Sequence, residues 1–270
     1  MLTFGLLDDI ALASEKGRPV DHHLATLPEV ELGALAEWLL LSADRAGKLP
    51  PVSILKQQRL VQGMLDALAR PGELLQLENA FSKSAFLVTQ RNYQAADTAA
   101  WLKFKLSMSS TGQWTGLHGD EARAMVAAVE ELEVNIHEHS GRAHDGVVAY
   151  YGRRDEFAFV VADSGRGPLA SLHTNPEFDH ITDHGQALAL TLEDGVSRLG
   201  AASGHGLGYR ELFKGLATLN ASLRFRSGNR ALVIEGRSPQ RAEASTFERP
   251  YLQGYLASIV CRSPQASLWH

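Results

Sequence analysis

A long helical segment followed directly by two short apolar strands limits the folds open to this chain. Residues 120–139 are rich in Ala and Glu and form the clearest predicted helix. The segments 146–151 and 156–162 are apolar and β-branched, and the polar turn 152–155 joins them. A helix beside an antiparallel strand pair predicts an α+β fold, with helices and sheet forming a two-layer sandwich.

The first part of the chain reads as a helical extension of that sandwich. Residues 28–46 and 53–70 place leucines near helical spacing, and proline-containing breaks end both segments. We expect a small helical N-terminal region over residues 1–79 that serves docking or dimerisation. The second predicted domain is then residues 80–270.

Beyond residue 80 the sequence alternates between strand and helix patterns. The predicted elements are a strand at 86–89, a helix (or, less favoured, a strand) at 96–108, a short helix at 186–192, a helix at 208–219, a hairpin of 221–227 and 231–236, and a last strand at 255–262. Gly228-Asn229 is a strong turn signal and places the tip of that hairpin.

Charge and cysteine content exclude several classes of function. The formal net charge of -5 and the pI near 6.1 give no basic bias, so neither nucleic acid nor an anionic membrane is an expected partner. Cys261 is the single cysteine, which favours a reducing, cytoplasmic location. The apolar start Met1–Leu7 lacks a preceding basic residue, so we expect no export signal. No apolar stretch approaches the roughly 18 residues of a membrane-spanning helix.

The second half of the long helix carries a chemically suggestive pattern. Glu131, Asn135 and His139 are spaced four residues apart, so they share one helix face. A carboxylate one turn from an amide can orient a water or hydroxyl while the amide oxygen holds a divalent cation. The same spacing also fits an ordinary solvated helix face, so both interpretations stay open at this point.

Two glycine-containing segments follow this helix. Asp163-Ser164-Gly165-Arg166-Gly167 comes directly after an apolar run, so its carboxylate would end a strand and could accept a hydrogen bond from an exocyclic amine. Its glycines let the backbone turn and approach a ligand closely, although Asp-Ser-Gly is also a common turn sequence. Gly204-His205-Gly206-Leu207-Gly208 opens a predicted helix, where backbone N–H groups and the helix dipole favour phosphate.

Together the three segments resemble the N, G1 and G2 boxes of the GHKL superfamily. This superfamily of Bergerat-fold ATP-binding proteins includes histidine kinases, gyrase-type ATPases and anti-sigma-factor kinases. The separations of about 25 and 40 residues, and the elements between the segments, suit that fold. The resemblance covers about residues 80–262 and implies a Bergerat fold that binds ATP and Mg²⁺.

The resemblance also implies a role for each matching residue. Glu131 would be the catalytic general base, Asn135 would be the metal ligand that holds Mg²⁺ against the phosphates, and Asp163 would bind the adenine amine. The other implied cofactor-binding residues are His139, Gly165, Gly167, Gly204, Gly206, Leu207 and Gly208. Residues 170–203 would form the ATP lid, in which Arg198 is either a phosphate contact or a solvated surface charge.

Several branches of the superfamily remain open. The segments 192–198 and 220–228 resemble the lid and following hairpin of anti-sigma-factor-like ATPases, which favours a kinase acting on Ser or Thr of a regulatory partner protein. A histidine kinase remains an alternative because His23 stands five residues before Pro28, although Leu24 lies where an acidic residue is usual. A non-catalytic module whose lid gates a partner is the third hypothesis. A homodimer also remains open.

Overall fold

Six strands form one antiparallel sheet in the computed structural model, which describes residues 1–18, 24, 27–44, 49–55, 58–89, 96–142, 146–191, 220–234 and 245–262. The strands are β1 (Leu75–Glu78), β2 (Ser82–Val88), β3 (Val147–Arg153), β4 (Glu156–Asp163), β5 (Asn220–Ile234) and β6 (Ser245–Arg262). Their order across the sheet is β1-β2-β3-β4-β6-β5, and each neighbouring pair is antiparallel. β6 therefore lies between β4 and β5.

Seven α-helices and two short 3-10 turns complete the described part of the chain. They are α1 (Phe4–Glu15), α2 (Leu32–Asp44), a 3-10 turn (Val52–Leu55), α3 (Arg59–Leu68), α4 (Ala96–Trp114), α5 (Gly119–His139), α6 (Gly167–Leu172), a second 3-10 turn (Pro176–Phe178) and α7 (His184–Leu190). None of these helices is long and apolar enough to cross a bilayer. Helices and one antiparallel sheet together agree with the predicted α+β class.

Both faces of the sheet are buried, which explains why β4 is apolar along its length. Successive side chains of a strand point to opposite faces, so Phe157, Phe159 and Val161 lie in one core, together with α4 and α5. Val160 and Ala162 lie in a second core on the other face, together with the N-terminal helices. The sheet is thus the middle layer between two groups of helices.

This three-layer arrangement differs from the predicted two-layer sandwich with a small extension. Helices α1, α2 and α3 cover the sheet face opposite α5, and Trp38 and Met64 are fully buried there. β1 also lies within the predicted N-terminal region and pairs with β2. The physical reason is that the second face of the sheet carries Phe86 and Val88, which must be removed from water by further apolar surface.

A buried ionic network joins α1 and α2 to the strands β5 and β6. Arg224 donates to Glu37 Oε2 from Nε at 2.9 Å and to Asp8 Oδ1 from Nη2 at 2.7 Å. Arg226 Nε donates to Glu37 Oε1 at 2.7 Å, and Arg249 Nε donates to Asp8 Oδ2 at 2.6 Å. Burial by itself raises the pKa of Glu37, but the two guanidinium groups outweigh it and hold that pKa below its ordinary value.

The predicted hairpin across Gly228-Asn229 is wrong. Residues 220–234 form the single strand β5, whose hairpin partner is β6. Gly228 has a φ of 54° and sits where the register between β5 and β6 shifts, so its left-handed conformation serves a β-bulge. The local sequence signal for a tight turn and for such a bulge is the same, because both need a glycine with positive φ.

Most other predicted elements are present with changed limits. The helix predicted at 28–46 is the shorter α2, and the segment 53–70 divides into a 3-10 turn and α3. The segment 96–108 is helical, as favoured, and continues to Trp114. The last strand begins ten residues earlier than expected, at Ser245. The predicted helix at 208–219 lies outside the described residues.

Candidate functional site

The C-terminal half of α5 presents the predicted catalytic face at the flank of the core. Met125, Leu132 and Ile136 form the buried stripe of the helix. Glu131 and Asn135 lie about 100° around the helix from that stripe and are half-buried. Their partial exposure leaves both side chains reachable by a ligand while the helix itself is held against the sheet.

A second pair on α5 lies on the other flank and takes no part in the predicted site. Glu133 is buried, and its Oε1 lies 2.6 Å from His137 Nε2 one turn further on. At about 100° per residue, Glu133 and His137 lie roughly opposite Glu131 and Asn135. Glu131 and Glu133 therefore have different environments and are separate features.

The predicted adenine-binding residue closes the end of β4. Asp163 is 4% exposed and pairs in register with Tyr255 of β6. By strand alternation its side chain belongs to the sheet face that α5 covers, as do those of Phe159 and Val161. Asp163 Oδ1 accepts a hydrogen bond from the Gly165 N–H at 2.7 Å, which fixes the turn that follows.

The end of α5 and this turn are in direct contact. The Arg166 N–H donates to the Ser140 carbonyl at 2.9 Å. A Cβ added to Gly165 would lie 2.3 Å from the same carbonyl oxygen, so glycine is required for the approach. His139 immediately precedes Ser140 and is half-buried, with its Nε2 3.7 Å from Glu138 Oε2. The first two predicted segments are therefore brought together.

The β5–β6 pair supports the turn from the other side, a contribution that sequence reasoning missed. Gly254 has a φ of 90°, and a Cβ there would lie 2.0 Å from the Asp163 carbonyl. Gly167 has a φ of 73°, and a Cβ there would lie 2.5 Å from Ser227 Oγ. Gln253 Nε2 donates to the Gly165 carbonyl. The isolated glycine within the apolar pattern of β6 was the available signal, since it marks a close backbone approach.

Several predicted residues lie outside the described part of the chain. These are Gly204, Gly206, Leu207 and Gly208 of the third segment, Arg198 of the lid and the candidate acceptor His23. The predicted lid is described up to residue 191, where α6 and α7 pack through a small core of Leu172, Ile181 and Ala187. The phosphate side of the predicted pocket is therefore not part of the described geometry.

The described side of the site fits an adenine nucleotide in its donor and acceptor chemistry. Asp163 offers a buried carboxylate at the end of the interior strand β4, Gly165 and Gly167 allow close backbone approach, and Asn135 offers an amide oxygen on α5. Within the described residues, no group of three or more His, Cys, Asp and Glu side chains could hold a metal ion. A cation here would need oxygen ligands from the bound phosphates beside Asn135.

Two cavities of about 520 and 270 Å³ lie on the face of the sheet that the N-terminal helices cover. Both are lined partly by Glu31 and Arg262, and the larger one also by Phe4, Arg224 and Arg249. Burial and the nearby Glu156 raise the pKa of Glu31 above its ordinary value. Neither of these two cavities includes a predicted site residue.

Comparison of the chain with models of known protein families, with curated proteins and with solved structures gave no match. The assignment of function therefore rests on the residues of the site and on their arrangement.

Proposed function

We propose that this protein binds Mg²⁺ and ATP between α5 and the 163–167 turn, as a Bergerat-fold member of the GHKL superfamily. The proposal further assigns it to regulatory kinases that phosphorylate Ser or Thr of a partner protein in bacterial signalling. The contact between Ser140 and Gly165 is the observation that carries it. Two segments whose residue types each suit nucleotide chemistry meet there, with glycine required at the contact.

The element order around this contact supports the proposed fold. The helix α5 with Glu131 and Asn135 is followed by the hairpin β3–β4, and β4 ends at Asp163. β5 and β6 then complete the sheet next to β4 rather than at the distant edge beside β1.

The proposed roles follow from the environments of the side chains. Asp163 would accept a hydrogen bond from the adenine amine, because a carboxylate is an acceptor and the Gly165 N–H orients this one at the strand end. Glu131 would take the proton of the attacking hydroxyl, and Asn135, one turn further along α5, would hold Mg²⁺. The metal would offset the negative charge of the phosphates.

Replacing Glu131 tests the catalytic part of the proposal. We expect Glu131→Gln to lower Mg²⁺-dependent ATP turnover by roughly a hundred-fold or more, because a general base contributes about 10²–10⁴-fold. ATP affinity should change little, since the substitution keeps the shape of the side chain. Glu130→Gln is the matched control, because it makes the same change at a neighbouring glutamate whose partner, Lys105 on α4, lies outside the proposed site. Phosphate release and calorimetry measure the two quantities.

The outcome also separates the three branches. ATP binding by the wild-type protein with neither phosphate release nor transfer of label from γ-labelled ATP to a partner protein would favour the non-catalytic module. Label that moves from γ-labelled ATP to the protein, and disappears in His23→Gln, would favour a histidine kinase. Equal turnover in Glu131→Gln and in the control would remove Glu131 from the catalytic role.

A further inference from the structure

We propose that Gln253 on β6 is a positioning residue for the nucleotide base. By holding the carbonyl of Gly165, Gln253 keeps Asp163 in the conformation that recognises an exocyclic amine. This inference rests on the proposed function, because it concerns the same turn. It adds a residue outside the three segments identified in the sequence and assigns it to base specificity rather than to phosphate binding.

Gln253 and Asp163 hold the two backbone polar groups of Gly165. The Gly165 N–H donates to Asp163 Oδ1 at 2.7 Å, and the Gly165 carbonyl accepts from Gln253 Nε2. Both backbone polar groups of this glycine are therefore held by side chains. Gln253 is itself oriented, because its Oε1 accepts a hydrogen bond from the Tyr251 hydroxyl at 3.3 Å.

The backbone of β6 explains how Gln253 reaches the turn. The next residue, Gly254, has a φ of 90° and approaches the Asp163 carbonyl closely. Its own carbonyl accepts a hydrogen bond from Ser227 Oγ at 2.7 Å, which pins this part of β6 to β5. In the register of β4 and β6, Asp163 lies opposite Tyr255, so Gln253, two residues before Tyr255, lies beside the 163–167 turn that continues from β4.

The expected consequence is selectivity for the base. A glycine turn that is free to change conformation pays an ordering cost when the ligand binds, and a turn fixed in advance does not. Without Gln253, Asp163 would be less often in the recognising conformation. The phosphate contacts proposed for Asn135 and for the segment 204–208 would come from other parts of the chain, so the affinity for the triphosphate should change little.

The test compares ATP with ITP, which carries the same triphosphate but lacks the amine. Gln253→Met removes the N–H donor at similar volume, and Gln253→Lys retains a donor. We expect the wild-type protein to prefer ATP, Gln253→Met to lose roughly ten-fold in ATP affinity with little change for ITP, and Gln253→Lys to recover most of the loss. Calorimetry gives the affinities, and thermal melting confirms that both variants are folded.

Several results would overturn the inference. One is a Gln253→Met protein that binds ATP as tightly as the wild type, and another is an equal loss for ATP and ITP. Equal affinity of the wild-type protein for ATP and ITP would also overturn it, while the proposed ATP binding would stand. A wild-type protein that binds neither nucleotide would remove the proposed function and this inference together.

Discussion

The substitution Glu37→Gln tests whether the buried ionic network holds the N-terminal helices to the sheet. Glu37 is fully buried and accepts hydrogen bonds from Arg224 and Arg226, which is itself fully buried. The variant keeps the size of the side chain but leaves guanidinium charge in the core without its carboxylate. Its amide N–H groups would also face other donors.

The expected loss is large on the scale of protein stability. Removing one partner of a buried ion pair costs about 3–5 kcal/mol, because the remaining charge stays buried. Glu73→Gln is the matched control. Glu73 is 69% exposed on its side chain and lies 3.9 Å from Arg70, so its replacement should change the free energy of unfolding by no more than about 0.5 kcal/mol. Urea unfolding of both variants measures the difference.

The pH dependence of this loss has a defined sign. The folded-state pKa of Glu37 is held below its ordinary value of 4.5, so its contribution is present above that pH and is lost as the pH falls through the folded pKa. The stability gap between wild type and Glu37→Gln should therefore be full at neutral pH and narrow below about pH 4.5. A loss at pH 7 no larger than that of Glu73→Gln would refute the reasoning.

Two further predictions concern β5 and β6. Gly228→Ala should destabilise the protein by about 1–3 kcal/mol, because Gly228 has a φ of 54° and the new Cβ would lie 2.3 Å from the His184 ring. Gly5→Ala is the control, because its Cβ would have no neighbour closer than 3.8 Å, and it should not lower the stability. Chemical denaturation measures the free energy of unfolding of both variants. Burial raises the pKa of the Cys261 thiol to about 12, so a thiol reagent should label it only after unfolding; rapid labelling of the native protein would contradict its placement.

The helices and strands that were predictable owe their signal to local periodicity. α5 and β4 carry strong patterns, and so does the Asp163 turn that follows β4. That these two segments serve one site was implied only by the resemblance, because nothing in the spacing of residues requires them to meet. Their contact at Ser140 and Gly165 depends on the sheet, which sets where β4 ends relative to α5.

The N-terminal layer shows why the rest was not predictable. Arg224 joins Asp8 and Glu37 across 216 and 187 residues of sequence, and no local pattern connects them. Arg224 and Arg226 occupy alternate positions of β5, and such a pattern normally indicates the solvent-facing side of a strand. Their burial becomes intelligible only once α1 and α2 are seen to cover that face and to supply the carboxylates.

Calorimetric titration of the full chain with ATP in the presence and absence of Mg²⁺ tests the central claim most directly. Asp163→Asn and Asn135→Ala accompany the wild type, and Asp120→Asn, a change at a side chain that is 91% exposed, is the control. The account predicts Mg²⁺-dependent binding by the wild type and the control and a loss of at least roughly ten-fold in the two site variants. Absence of ATP binding by the wild type, or unchanged binding by Asp163→Asn, would contradict it.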